Sequence, residues 1–376
     1  MELPMRVGIP TEVKDNEFRV GMTPAGVHAL VGAGHEVTVQ TGAGLGAGIP
    51  NDAYADAGAH LCDDAAEVWA GAQMVVKVKE PIPSEYGFLR EDLLLFTYLH
   101  LAADRELTEA LLAAGTTSIA YETVASDSGA LPLLAPMSEI AGRLSTQVGA
   151  DCLLKPHGGS GVLLGGAAGV RRANVLVLGG GVAGLNAARV AAGMGADVTI
   201  MDINPQRLRQ LDEGFGATIK TRFSTELDIA QACEDADLVI GAVLVPGART
   251  PRLVTHEMVR TMRPGSVLVD IAIDQGGCFE DSKVTTHSEP TYEVDGKVFY
   301  CVGNMPGAVP HTSTYALTNA TLPYALALAN EGWQPACSSR RDLGRGLSTH
   351  AGHLYTAGVG EALEIPVADL SELLGS

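Results

Sequence analysis

Lysine is scarce in this chain, with seven against eighteen arginines in 376 residues, and acidic residues outnumber basic ones by 44 to 25. The resulting net charge of −19 leaves no basic face, so neither nucleic acid nor an anionic membrane surface is expected as a partner. No apolar run reaches the length of a membrane span; LLLFTYLHLAA (93–103) stops well short. The opening MELPMRVGIP lacks the basic region and long apolar core of a signal peptide. The six cysteines (62, 152, 233, 278, 301, 337) are scattered, with no C-x-x-C and no metal-ligand spacing. They read as buried or free thiols in a reducing compartment, which points to the cytoplasm and to no bound metal. A nucleophile elbow, a phosphate-binding Walker loop and a zinc motif are all missing too.

Against these absences stands one dense segment, VLVLGGGVAGLNAARVAAGMGADVTIMD (175–202). Val175 to Leu178 form an apolar strand. Gly179, Gly181 and Gly184 then give the G-x-G-x-x-G spacing, an Ala-rich helix follows, and a second strand ends at Asp202. The first glycine permits the tight turn, the second lets backbone approach a pyrophosphate, and the third lets helix pack closely on strand. The phosphates would then meet free N–H groups at a helix N-terminus. Three glycines alone can mark nothing more than a turn. The ordered strand, turn, helix, strand and acid favour a dinucleotide site. Asp202, 18 residues beyond Gly184, suits ribose hydroxyls and would repel a 2′-phosphate, which favours NAD over NADP; Arg207 pulls the other way.

The length implies two domains, and 46% hydrophobic residues imply a well-packed globular protein. In the first 130 residues, strand patterns at 5–10, 35–41, 74–81 and 93–101 alternate with helical ones, such as Thr23 to Val31 with its Thr-Pro start. Alternation of this kind predicts a parallel sheet wrapped by helices. The glycine-rich stretch 42–48 reads as a loop. A long helix is predicted over roughly 137–155, further strands over 236–243 and 266–274, and another helix over 312–329. The tail beyond has no fingerprint of its own and is too short for a third domain.

Candidate chemistry lies outside the glycine turn. Arg19 in NEFRV has the planar fork of a carboxylate clamp, and is equally readable as a surface arginine. Lys77 and Lys79 sit two apart in MVVKVKEP, on one face of the predicted strand. Such a pair commonly blunts an edge strand; the rarity of lysine elsewhere argues for function. His100 ends an apolar strand, where it is either a satisfied core residue or a group placed at the strand's C-terminal end, the end at which α/β sites form. Asp270 and Asp274 share strand parity in SVLVDIAID and would project to one face. Asn304, Met305 and Pro306 combine turn formers with a flexible thioether, which suits a loop over a ligand.

With these residues assembled, the chain resembles the alanine dehydrogenase family over nearly its whole length. The matching segments are 5–20, VVKVKEP (75–81), HLAA (100–103), TTSIAYETV (116–124), LPLLAPMSEIAGR (131–143), the fingerprint, VIGAVLVPGA (239–248), VLVDIAIDQGGCFE (267–280) and YCVGNMP (300–306). The resemblance implies oxidative deamination of L-alanine to pyruvate and ammonium with NAD, and the reverse amination. It implies that Arg19 and Lys79 hold the substrate carboxylate and carbonyl oxygen, and that His100 and Asp274 transfer protons. Ser138, Val182, Asp202, Arg207, Ser224, Val243, Leu244, Ile271 and Val302 to Met305 would line the cofactor site, with Asp274 near the nicotinamide. The implied α/β fold has two Rossmann-like domains with parallel sheets. An NAD domain (133–308) is inserted into a discontinuous substrate domain (1–132 and 309–376), usually within a homohexamer. Ser160, Ala167-Ala168 and His311 depart from the family pattern, outside the proton-transfer set. A soluble transhydrogenase α-like subunit and a non-catalytic NAD-sensing protein are the alternatives.

Overall fold

In a computed structural model, residues 4–243 and 250–375 are described. The chain lays down β1 (Arg6–Ile9), β2 (Glu36–Gln40), β3 (His60–Cys62), β4 (Met74–Val76), β5 (Leu94–Thr97) and β6 (Thr117–Ala120) in a first sheet. It then builds a second from β7 (Asn174–Leu178), β8 (Asp197–Asp202), β9 (Ile219–Phe223), β10 (Leu238–Gly241), β11 (Val267–Asp270), β12 (Thr291–Val294) and β13 (Lys297–Tyr300). Finally β14 (Leu347–His350) and β15 (His353–Leu354) return to the first sheet. Two compact units result: Met1–Met137 with Val309–Ser376, and Ser138–Ala308.

The sheets repeat one design. The first runs β15-β14-β6-β5-β4-β1-β2-β3 and the second β12-β13-β11-β10-β7-β8-β9. In each, three strands wind outward in one direction before the chain crosses back and winds the other way, so strand order reverses beside β1 and beside β7. Such a switch point opens a crevice beyond the carboxyl ends of the strands, where α/β folds bind ligands. The core strands are parallel; among the described strands, the antiparallel pairings are those made by β12, β14 and β15. Helices cover both faces, so the central strands carry unbroken apolar runs: β5, β6, β10 and β11 are buried at every residue. One core gathers Leu176, Val239, Leu268, Phe279 and Phe299, another Val75, Leu95, Leu107, Leu111 and Ala120. Each fully buried large apolar side chain contributes roughly 1.5–3 kcal/mol.

Local signals set several boundaries. The helix Pro24–Gly32 starts on Thr23, whose side chain accepts from the Gly26 N–H at 3.4 Å, with proline at the first helical position. The predicted long helix forms over Ala135–Cys152, and the C-terminal one over Pro310–Glu331. The tail pairs back through β14 onto β6, where the Ser118 and Thr349 hydroxyls lie 2.7 Å apart.

Three predicted strands are too long, and each error moves a candidate residue. The segment 74–81 is extended only to Val76, and β4 is central, between β1 and β5, which removes the edge-strand reading of its lysines. The segment 93–101 stops at Thr97, so His100 stands three residues beyond its strand. The segment 266–274 stops at Asp270, so Asp270 and Asp274 share no strand parity. Past each of these strands, buried residues such as Val78, Tyr98 and Ile273 continue into the turn at the crevice, and hydropathy alone does not register where the strand ends.

Candidate active site

In the unit Ser138–Ala308, the carboxyl ends of the parallel strands gather nearly every proposed cofactor residue. Gly179 follows β7, Asp202 ends β8, Ser224 follows β9, Val243 follows β10, Ile271 follows β11, and Val302 to Met305 follow β13. The three glycines differ in what requires them. Gly179 has φ +98°, a left-handed conformation costly to any other residue. A Cβ at Gly184 would lie 1.8 Å from the Gly179 carbonyl oxygen, so only glycine lets the helix Val182–Gly193 sit on this turn. Gly181 caps that helix, and a Cβ there would meet nothing within 4 Å. The backbone beside Gly181 therefore faces space that a phosphate can enter, at a helix N-terminus.

Asp202 and Arg207 close the turn from the far side. Asp202 accepts from the Gly180 N–H at 2.7 Å and from the Asn204 N–H at 2.8 Å, and Arg207 Nε donates to the Gly180 carbonyl at 2.6 Å. An ionised carboxylate has about four acceptor positions, so two remain for ribose hydroxyls. Val182 is exposed, Ser224 and Val243 are half-buried, and Val243 lies against Gly179. Ile271 is half-buried, its N–H donating to the Gly241 carbonyl at 2.9 Å. Ser138 stands on the first turn of the helix Ala135–Cys152, not on a strand. Leu244 lies outside the described residues.

Asp270 and Asp274, four residues apart, occupy opposite environments. Asp270 is fully buried and accepts from Ser282 Oγ at 2.5 Å and from the N–H groups of Cys278 at 2.8 Å and Ala272 at 3.1 Å. Burial pushes its pKa up against these hydrogen bonds. Asp270 anchors the turn. Asp274 is exposed on that turn and accepts from the Asn304 N–H at 3.3 Å. Asn304 is left-handed at φ +58°, and Val302 and Met305 on either side of it are buried. Hence Met305 is packed in the interior, where a flexible residue over a ligand was expected. Two of the departures lie apart from this edge: Ser160 donates its N–H to the Gly265 carbonyl, and Ala167 pairs with Val170.

In the other unit, the same edge of the first sheet carries charge. Arg19 is buried, not on the surface, and grips Glu17 through Nε at 2.6 Å and Nη2 at 2.5 Å, with Nη1 3.1 Å from Met137 Sδ. Burial opposes its charge, but the Glu17 carboxylate outweighs that and raises its pKa. Lys77 is wholly buried and Lys79 half-buried, so the two lysines have different surroundings. His100 is exposed and left-handed at φ +51°, its ring stacked on Tyr98 at 5.9 Å; it is no core histidine. Glu122 pins its backbone by accepting the His100 N–H at 2.6 Å. Buried Glu80 pairs with Lys14; burial would raise its pKa, but Lys79, His100 and Lys14 together pull it down.

Sequence reasoning missed Glu12, Glu17, Glu80, Glu85, Tyr98 and Glu122 as parts of this edge. Glu12 and Glu17 lie in a charge-rich stretch that gave no reason to single out either. Among the described residues, no cluster of three or more His, Cys, Asp or Glu is arranged to hold a metal, and no helix is long and apolar enough to cross a membrane.

Comparison with known proteins covers nearly the whole chain. Residues 8–141 match the alanine dehydrogenase/PNT N-terminal domain family, and residues 145–357 match the corresponding C-terminal domain family. Alanine dehydrogenase of Mycolicibacterium smegmatis is 59% identical over 370 residues, 98% of this chain and all of that one. A solved L-alanine dehydrogenase superposes with a TM-score of 0.93 at 52% identity, covering 96% of this chain and 99% of the other. A transhydrogenase from Sinorhizobium meliloti superposes less closely, with a TM-score of 0.81 at 27% identity over 93% of this chain and 99% of the other.

Proposed function

Because this chain belongs to the alanine dehydrogenase/PNT family, we propose a residue-level account of how it works as an NAD-dependent alanine dehydrogenase. It is an oxidoreductase that deaminates L-alanine oxidatively to pyruvate and ammonium, and runs the reverse amination. The observation that carries this reading is the paired design: one sheet edge with a glycine turn open to phosphate, the other with arginine, lysine and histidine. The transhydrogenase reading is not favoured, its relative being far less similar than the dehydrogenases.

The residues fit a dinucleotide. Gly179 to Val182 would take the pyrophosphate on N–H groups, Asp202 the adenosine ribose, and the Val302 to Met305 turn with Asp274 the nicotinamide end. NAD supplies, when bound, the hydride acceptor for the alanine α-carbon. Arg19 and Lys79 fix the substrate carboxylate and the future carbonyl oxygen, which sets orientation before reaction. His100 in its neutral form and Asp274 as a carboxylate take protons from the amine, or from the water that attacks the iminium. In this account the unit built from both chain ends is the substrate domain, the central unit is the NAD domain, and the enzyme works in the cytoplasm as a homohexamer.

The test is an assay of purified protein at alkaline pH for alanine-dependent NADH formation, run in parallel with NADP. Rapid reduction of NAD and little of NADP is expected. No alanine-dependent reduction would sink the activity, and equal efficiency with both cofactors would sink the role of Asp202.

A further inference from the structure

Lys77 stands one residue past β4, at the switch point of the first sheet, and is 0% exposed. An ammonium so placed must be paired, since an isolated buried charge is heavily penalised. Two carboxylates supply the pairing: Glu85 Oε1 at 2.6 Å and Glu12 Oε2 at 3.5 Å, with the Trp69 ring centroid 5.7 Å from Nζ. Burial would push the Lys77 pKa down, but Glu12 and Glu85 outweigh it and raise it, so the charge persists.

Each carboxylate spends its second oxygen on backbone. Glu12 Oε1 accepts the Val78 N–H at 2.6 Å, and Glu85 Oε2 accepts the Ile82 N–H at 3.1 Å. Between those two pinned positions lie Lys79, Glu80 and Pro81. Two further bonds hold the same stretch: Thr97 Oγ1 donates to the Lys79 carbonyl at 3.1 Å, and the Tyr98 N–H to the Val78 carbonyl at 3.3 Å. The loop carrying Arg19 is tied in as well. Glu12 belongs to it, and a Cβ at Gly21 would lie 2.6 Å from the Val76 carbonyl oxygen and 3.1 Å from Lys77 Cα.

We propose that Lys77, Glu12 and Glu85 form a buried ionic clamp that aims Lys79 at the substrate, with Lys77 a positioning residue and not a second substrate lysine. The clamp joins the loop that carries Glu12 to the stretch from Lys77 to Glu85 through one ammonium. Losing its charge frees the Val78 to Ile82 backbone and moves the Lys79 ammonium by a fraction of an ångström. Misplacement by about 1 Å can cost on the order of 10²-fold in rate. The clamp has no part in dinucleotide binding, so its loss has a signature of its own.

This inference rests on Lys79 holding substrate, and the experiment separates the two. Lys77→Met keeps length and removes charge; Glu85→Gln keeps an acceptor for Ile82 and perturbs the fold less. Both should raise the KM for pyruvate, about tenfold or more for Lys77→Met and about threefold or more for Glu85→Gln, while NADH affinity stays within about twofold. Pyruvate binding to the enzyme–NADH complex, titrated by fluorescence, should be weakened by Glu85→Gln in the native background and not further weakened in a Lys79→Met background, as expected of residues acting as one unit. If Lys79→Met leaves pyruvate binding and turnover intact, the substrate role of Lys79 fails and the clamp's purpose with it. If Lys79→Met abolishes both but folded Glu85→Gln keeps normal pyruvate KM, the clamp alone is overturned. An equal loss of NADH and pyruvate affinity in Glu85→Gln would overturn it too, as general damage. Should Lys77→Met not fold, Glu85→Gln carries the test.

Discussion

The two units wind their central strands in the same order yet finish their crevice edges with opposite chemistry. At the first sheet the strand ends deliver side-chain charge: Arg19 with Glu17, Lys77 with Glu12 and Glu85, and Glu80 with Lys14. At the second sheet they deliver backbone: a glycine turn, a helix N-terminus, and a few side chains that brace that turn. A small charged molecule offers little surface, so binding it takes fixed, paired, desolvated charges. A dinucleotide is long and already charged, and close approach to N–H groups suffices. On the proposed account, one topology thus serves two ligand classes through the few residues that follow each strand.

The comparison breaks first if both edges do not contribute to the chemistry. His100 belongs to the first sheet's edge and Asp274 to the second's. Replacing either with alanine should lower kcat/KM by on the order of 10²–10⁴, the usual worth of a positioned acid or base. NADH affinity should hold in His100→Ala and weaken in Asp274→Ala, because only Asp274 belongs to the nucleotide edge. Steady-state kinetics with NADH fluorescence titration decides this. Near-normal turnover in either variant removes that residue from the mechanism.

A second set of variants sharpens what backbone means at the nucleotide edge. Gly184→Ala puts a methyl 1.8 Å from a carbonyl oxygen, so helix and strand must separate. Overpacking of this kind costs typically about 1–3 kcal/mol, and both melting temperature and NADH binding should fall. Gly181→Ala meets nothing within 4 Å and adopts an ordinary φ of −66°. Its melting temperature should match the native protein while NADH affinity drops, because the methyl occupies the approach to the phosphate. Thermal melts with and without NADH test the pair. Equal destabilisation by both would mean that Gly181 is needed for the fold and not for the ligand.

How far the sequence discloses this difference depends on the physics of each edge. The nucleotide edge is local: strand, glycines, helix and Asp202 lie within 28 consecutive residues, and their spacing alone predicts the turn. The charged edge is assembled from afar. Glu12 meets Lys77 and Glu85 only once β1 and β4 pair, and no periodicity announces that encounter. Lys77 stands out as a rare lysine in an apolar run, but pattern does not tell an edge from a centre. Pattern overextends the strand ends for one reason throughout. Residues such as Val78, Tyr98 and Ile273 are buried beyond the last strand residue, and burial is all that hydropathy reports.

The smallest effect concerns the opposite, amino-terminal edge of the second sheet, where charge is structural. Asp237 immediately precedes β10 and is 2% exposed. Arg171 binds it through Nη1 at 2.6 Å and Nη2 at 2.8 Å, and the Asn174 N–H donates to it at 2.8 Å. Burial alone would raise its pKa, but Arg171 and the Asn174 N–H outweigh burial and lower it. The folded pKa then lies below the unfolded value of about 3.9, so the stabilisation is complete above that value and is lost as pH falls through the folded pKa. Arg171 is half-exposed, so solvent screening keeps the effect small, about 1 kcal/mol. Asp237→Asn should therefore lower stability at neutral pH by roughly that amount, and the gap to the native protein should close below about pH 4. Urea titrations of both proteins across that range measure it. A gap that persists unchanged into acid would mean that packing, not charge, is what Asp237 contributes. The KM for NAD should stay the same in the variant. A rise in it would show that charge at this edge reaches the ligand after all, and the contrast between the two edges would fail.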